Sequence, residues 1–274
     1  MKKLRILFPV LLLLLLSAFT LVSELSTYRN LENKSFGSGE RLEYKIHVGL
    51  LNAAHSTMYI SDTIYQLNGR PCFKIDVQGK TSGVFDFFIR VRDQWGSYLD
   101  TTAIIPHQFY RNIEEGKYRK YEVVEFDHDL DSAIVLKMDK HTRKLKERKS
   151  FNIKDDSQDL ISGYYYMRTL DYSKFNIGDT LKVPAFFDDE NYEFKTTFVG
   201  REEVRTKLGK VHAIVLSPIM PENSIFDGEN AIRIWLSDDQ NKIPLKVKAK
   251  MFVGSVEIDI TDGYNLKSPL ALVE

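Results

Sequence analysis

Long stretches of this sequence alternate between apolar and polar residues with a period of two, and that feature restricts the possible folds more than any other. Leu245, Val247, Ala249 and Met251 interleave with Lys246, Lys248 and Lys250, and Val256, Ile258 and Ile260 interleave with Glu257 and Asp259. Nearer the start, Leu42, Tyr44, Ile46 and Val48 alternate with Glu43, Lys45 and His47, and Phe73, Ile75 and Val77 with Lys74 and Asp76. Phe85, Phe87, Ile89 and Val91 continue the pattern against Asp86, Phe88 and Arg90. Successive side chains of a strand point to opposite faces, so strict alternation implies sheets with one dry and one wet face, the antiparallel habit. Asn68-Gly69, Glu115-Gly116 and Val253-Gly254 supply hairpin turns between the runs.

One segment departs from this rhythm. Asp155 followed by Gln158 has the spacing of a capping box. Leu160, Tyr164 and Met167, flanked by Ile161 and Tyr165, then fall on one helical stripe. The spacing predicts a helix over about 157–171. The blocks on either side of it resemble each other. Gly39-Glu40-Arg41-Leu42 matches Gly178-Asp179-Thr180-Leu181, Gly69 matches Gly209, and Asp100 with Ile105-Pro106 matches Asp238 with Ile243-Pro244, at offsets of 139, 140 and 138 residues. The expected fold is all-β and mainly antiparallel, a curved sheet or open barrel or sandwich built from a duplicated meander, with one short helix between the halves. The expected organisation is a signal or anchor over 1–23, a linker over 24–38, and one β-rich domain over 39–262 with repeat halves about 39–150 and 178–262. A tail over 263–274 follows.

The first residues carry their own instruction. Lys2, Lys3 and Arg5 precede Ile6 to Val22, a stretch of 17 residues without charge, and Glu24 is the first acid. A basic start followed by an apolar run is the pattern of an export signal, either cleaved or retained as an anchor helix. No Cys stands near its end, so attachment as a bacterial lipoprotein is excluded. The expected location is the periplasm or the outer face of the inner membrane, with membrane contact through this segment if it stays uncleaved. The chain holds 38 basic and 38 acidic side chains, and this balance excludes a nucleic-acid partner. Cys72 is the sole cysteine, so no intramolecular disulfide forms.

Motifs that announce chemistry are missing from the sequence. There is no G-x-S-x-G, H-E-x-x-H, P-loop or G-x-G-x-x-G. The six histidines are scattered, none three or four residues from another, so no metal site and no cofactor is expected. Asp127, Asp129 and Asp131 have the alternation of calcium ligands, but the favoured reading is a solvated turn; Asp188-Asp189-Glu190-Asn191 reads as a hairpin tip. The basic run Lys140–Lys149 fits an edge strand kept soluble by lysine, with anionic lipid as the alternative. The 17 Phe and 14 Tyr are many for this length. Phe85, Phe87 and Phe88, with Tyr164 and Tyr165 from the helix, are the candidate lining of an apolar pocket; the alternative is that the rings fill the core themselves. Trp235, Asp238 and Pro244 form a structural motif, with Trp235 buried and Asp238 bonding the backbone of the turn that leads to Pro244.

Trp235-Leu236-Ser237-Asp238 through Pro244-Leu245-Lys246-Val247, together with Gly39-Glu40, Leu42, Tyr44, Gln158–Ser162 and Gly254-Ser255, resembles the exported bacterial family known as domain of unknown function 3108, over about 39–262. That resemblance implies an exported, all-β protein and carries no catalytic residues. A shorter stretch around Trp235 is similar to the curved sheets of Lol-type periplasmic lipoprotein carriers, which hold acyl chains. The functional expectation is non-catalytic binding of a lipid or other apolar ligand, or of another envelope protein. The alternatives are a hydrolase with a non-local active site and a purely structural interaction module.

Overall fold

The computed structural model describes residues 28–139, 141–219, 231–252 and 254–273. The segment expected to be a signal or anchor lies outside them. The described residues form one sheet of 14 strands. In chain order these are β1 (Arg41–Val48), β2 (Leu51–Leu67), β3 (Arg70–Thr81), β4 (Arg92–Asp100), β5 (Pro106–Glu115), β6 (Tyr118–Asp127), β7 (Ser132–Met138) and β8 (Leu145–Asn152), then β9 (Thr180–Phe187), β10 (Glu190–Thr206), β11 (Gly209–Pro218), β12 (Ile232–Ser237), β13 (Pro244–Lys250) and β14 (Ser255–Tyr264). Spatially the order is β8 to β1, then β14 back to β9, with β1 and β14 paired antiparallel at the centre. Each half is therefore a meander run in the same sense. The first and second strands of each half match in length, 8 residues for β1 and β9 and 17 for β2 and β10. Pro106 and Pro244 each open a strand, where a missing N–H removes no ladder bond. The all-β duplicated meander expected from the alternation is what forms.

The sheet curls, and the second half closes over the first. The β9–β10 hairpin tip lies on the core face of β5, β6 and β7. Phe186 packs against Phe126 and Phe151, and Phe187 stacks on Trp95. Asp188 pairs with the buried Arg111 and with Lys120, and Asp189 with Lys137. Both aspartates have positive φ, 50° and 66°, as a tight two-residue hairpin of the right twist requires. The edge strands β8 and β9 are not paired with each other, so the sheet stays open. At that edge β8 carries Lys146, Arg148 and Lys149, which discourage pairing with another chain.

Helix α2 (Leu160–Arg168) joins the halves. It is shorter than the spacing indicated, and its cap is Asp159 rather than Asp155. Asp159 accepts from the amides of Ile161 and Ser162, the Ser162 hydroxyl accepts from the Asp159 amide, and Ser97 on β4 donates to the other carboxylate oxygen at 2.6 Å. Residues 155–158 stay outside the helix: Asp155 and Asp156 form a turn, with Asp156 at φ 55°, and Gln158 bonds the backbone of Pro184 and Phe186, a pairing that local spacing cannot reveal. At the other end of the helix Arg168, fully buried, makes two bonds to Glu40 at 2.6 and 2.7 Å and donates to the carbonyls of Ser35 and Asn241.

Three further expectations are corrected. Residues 85–91 do not form a strand. Gly83–Phe88 is a six-residue helix, α1, entered through Gly83 at φ 58°, and none of its residues is buried. The described part of the presumed linker is packed rather than free. Phe36 is fully buried with its ring 4.7 Å from that of Tyr165, and Arg29 bonds the carbonyls of Ala103 and Ile104 and pairs with Asp156. These side chains each reach a different element, so they leave no periodicity in the sequence. The tail is also docked, through hydrogen bonds donated by the His212 amide to the Ala271 carbonyl and by the Val273 amide to the Lys210 carbonyl.

Candidate functional site

The pocket expected from the aromatic residues does not assemble. Tyr165 is fully buried against Phe36, and Tyr164 packs edge-on to it, so the rings of α2 fill the core. Phe85 is half-buried, and Phe87 and Phe88 are exposed on α1 beside the start of β2, whereas α2 lies against β4 and β9. Trp235 is buried as expected and donates its indole N–H to Glu202. Asp238 does not hold the turn; it pairs with Arg201 at 2.8 Å. Asp239 takes that role, accepting from the amides of Asn241 and Lys242 and, through its second oxygen, Ala271. The turn before Pro244 is one residue longer than the one before Pro106, which moves the capping acid by one place.

The polar face of the central strands forms a groove instead. Alternation turns Ile75, Val77 and Leu99 into the core and leaves their neighbours outward. Register then lines these up in rows across β5, β4, β3, β2 and β1: Tyr110–Gly96–Asp76–Tyr59–Arg41, and beside it Asn112–Gln94–Gln78–Thr57–Glu43. Three open depressions of about 340, 530 and 350 Å³ run along these rows. The first two share Thr57, Gln78 and Lys80, and the last two share Arg41 and Tyr59, so they form one continuous groove. Five strands at the usual spacing give it a length of about 19 Å.

Tyr59 and Tyr264 line the groove, and further rings stand beside its β5 end. Tyr110 reaches across β4 to donate to Asp76 on β3, and its ring lies over Gly96, where a Cβ would overlap it. Glycine is required there by this close approach. Burial, helped by the Asp76 carboxylate, pushes the Tyr110 hydroxyl well above its usual range and fixes it as a donor. Tyr98 stands 6.3 Å from Tyr110 and 5.5 Å from Tyr65, and Lys74 lies over the Tyr110 ring and pairs with Asp76. Tyr59 donates to Asp62 at 2.6 Å. The groove thus offers ring faces, amides and charges of both signs, with the charges near Asp76 neutralised in place. The sequence carries this signal in the polar members of the alternation: Arg41/Glu43, Thr57/Tyr59 and Asp76/Gln78 are i, i+2 pairs that the core pattern treats only as a wet face.

At the far end of the same strands lies a second polar cluster. Asp100, fully buried, accepts from Arg70, from His107 Nε2 at 3.3 Å and from the amides of Thr102 and Ala103. His107 Nδ1 accepts from Asn68, which fixes the tautomer. Burial alone would raise Asp100; the His107 and Arg70 bonds and the turn amides outweigh it and hold the carboxyl well below its ordinary range. Cys72, opposite Asp100 on β3, is buried, and desolvation pushes its thiol up to about 12, so it remains a protonated packing group.

Solved structures similar to this chain share little sequence with it. One is a β-barrel-like protein of domain of unknown function DUF1849 from Brucella abortus, with 11% identity and a TM-score of 0.49, covering 86% of this chain and 98% of that one. Another is a hypothetical protein from Chlamydia trachomatis, with 8% identity and a TM-score of 0.37, covering 87% and 93%. No curated protein matches the sequence. The pattern of one family does match it, over residues 43–261, and the chain belongs to that family, described as protein of unknown function (DUF3108).

Proposed function

We propose that this protein is an exported, non-catalytic binding protein of the cell envelope that holds an extended, polar chain, a glycan, across the groove of β1–β5. The observation that carries the reading is the continuous row of polar side chains across five strands, with the Tyr59 ring lining it and the Tyr110 ring laid over Gly96 at its β5 end. An aromatic face flanked by amides and paired charges suits a ligand rich in hydroxyls, each of which can both donate and accept. Protein interfaces have a desolvated apolar centre, and this face offers polar rows instead. A phosphate-rich ligand would call for several unpaired cations, whereas Arg41 in the groove is already matched by Glu43 and Arg92 by Asp86. Export is supported by the basic start and the uncharged run before Glu24. The apolar-ligand reading loses its lining, since Tyr165 is in the core and Phe87 faces solvent.

Titrating the chain with envelope oligosaccharides by calorimetry tests this. Tyr59→Ala and Gln78→Ala, both on exposed or half-exposed groove positions, are expected to weaken binding about fivefold to tenfold each without changing the melting temperature, from the loss of one stacking or hydrogen-bonding group. A folded wild-type chain that binds no oligosaccharide, or variants that bind as well as wild type, would refute the assignment.

A further inference from the structure

We propose that one rim of the sheet is a docking surface for a bilayer with anionic headgroups. Ten of the seventeen large apolar side chains that are exposed among the described residues gather at a single end of the strands. They sit on successive turns. Leu50 and Leu51 are at the β1–β2 turn, Phe87 and Phe88 on α1 between β3 and β4, Tyr118 at the β5–β6 turn, and Phe252 at the β13–β14 turn. Leu50 is wholly exposed, Phe87 86% and Phe88 75%.

Backbone bonds tie these turns into one rim. Gly49 donates to Ser255, Ser82 to Ala53, and Gly116 to Arg90, so each turn is held against the next. Arg143 in the β7–β8 turn donates to Asn112 on β5 and extends the rim further. A soluble protein gains nothing from holding two phenylalanines in water, and a cluster of this kind marks a contact surface.

Charge decides what the contact is. Arg90, Lys117, Lys144 and Lys250 are exposed on four different turns of the same rim. Of the rim's acids, Asp86 is held by Arg92 and Thr81 and Asp139 by the turn amides of His141 and Thr142, while Glu115 at the end of β5 is exposed and outnumbered by these cations. Apolar points separated by cations along a line of loop ends match an interface where acyl chains lie beneath negative headgroups. A protein partner would call for a compact apolar centre with a polar border. The proposal is independent of the glycan reading, because the groove lies on a face of the strands and the rim at their ends.

The chain enters the described domain at the opposite end. Tyr28 lies against Arg70 and His107, next to the turn that carries Leu130, which is itself 74% exposed. This separates rim contact from any contact made by the N-terminal segment. The full chain, bearing an environment-sensitive dye at Phe88→Cys in one preparation and at Leu130→Cys in another, is mixed with vesicles of phosphatidylcholine alone or with phosphatidylglycerol. The buried Cys72 stays unlabelled. The expected result is a blue shift of the dye at 88 with phosphatidylglycerol vesicles only, reversed by high salt, and no shift at 130. Arg90→Gln and Lys117→Gln are each expected to weaken vesicle binding about fivefold. A shift at 130 without one at 88, or no shift at either position, would overturn the proposal. A shift at 88 that grows with protein concentration and needs no vesicles would also overturn it, giving the rim to a second copy of the chain.

Discussion

Asp100 is a fully buried carboxylate held by a guanidinium, an imidazole and two turn amides. Its distance from Pro106 marks a repeat landmark, and it caps the turn between them. Its bonds to Arg70 and His107 come from β3 and from its own strand's partner, and nothing in the local sequence encodes them. The same landmark in the second half was misassigned by one residue, because Asp238 and Asp239 are adjacent and only the length of the loop decides which faces the amides. Because its folded pKa is depressed, Asp100 contributes stability that is present above its unfolded value near 4 and is lost as pH falls below it. Asp100→Asn is therefore expected to lower stability at neutral pH by about 3–5 kcal/mol, as losing one member of a buried pair does. The gap to wild type should narrow steadily below about pH 4. Urea denaturation at pH 7 and pH 3 measures both quantities, and a gap independent of pH would mean that the charge of Asp100 is not what stabilises the turn.

At the level of elements, α1 and α2 both depart from the pattern read in the sequence. The four alternating apolar positions from Phe85 to Val91 read as a strand, yet no residue of α1 is buried, so no packing exists to enforce either reading, and Gly83 sets the local path. In α2 the buried face is rotated from the expected stripe: Ile161 and Tyr165, its flanking members, are buried, whereas Leu160 is exposed. What periodicity could not show is that Arg168, at the polar end of that helix, would be driven fully inside to meet Glu40 at the head of β1. A buried charge pair is costly to break and much less costly to replace whole. Arg168→Met should destabilise the fold by about 3–5 kcal/mol, and adding Glu40→Leu to it should recover a large part of that loss. Chemical denaturation of the two single variants and the double variant checks the cycle; a double variant as unstable as the sum of the singles would show that the pair does not act as a unit.

On the scale of the whole molecule, the repeat was readable because its landmarks are turns, and turns depend on local chemistry. The closure of the second half over the first was not readable, since Phe186 and Phe187 look like any strand residues until β9 is brought across β5 and β6. The same holds for the groove, whose rows exist only once five strands are in register. The interlocking has a measurable consequence. Trp95 belongs to the first half and Trp235 to the second, so each half carries its own fluorophore. Single-tryptophan variants are expected to report coincident unfolding transitions, and Phe186→Ala should shift both together by about 3–5 kcal/mol. Separate midpoints would mean that the halves fold as independent units.

The place of β1 in the sheet bears on how the chain is made. Its partner on one side, β2, follows at once, but its partner on the other side is β14, which ends at Tyr264. During synthesis the first strand therefore waits, one edge bare, until the chain as far as Tyr264 has left the ribosome. Throughout that interval the bare edge is complementary to the last strand of any neighbouring molecule as well as to its own. Crowded nascent chains would thus pair reciprocally, exchanging their final strands, and the yield of monomer depends on how quickly each chain finds its own end.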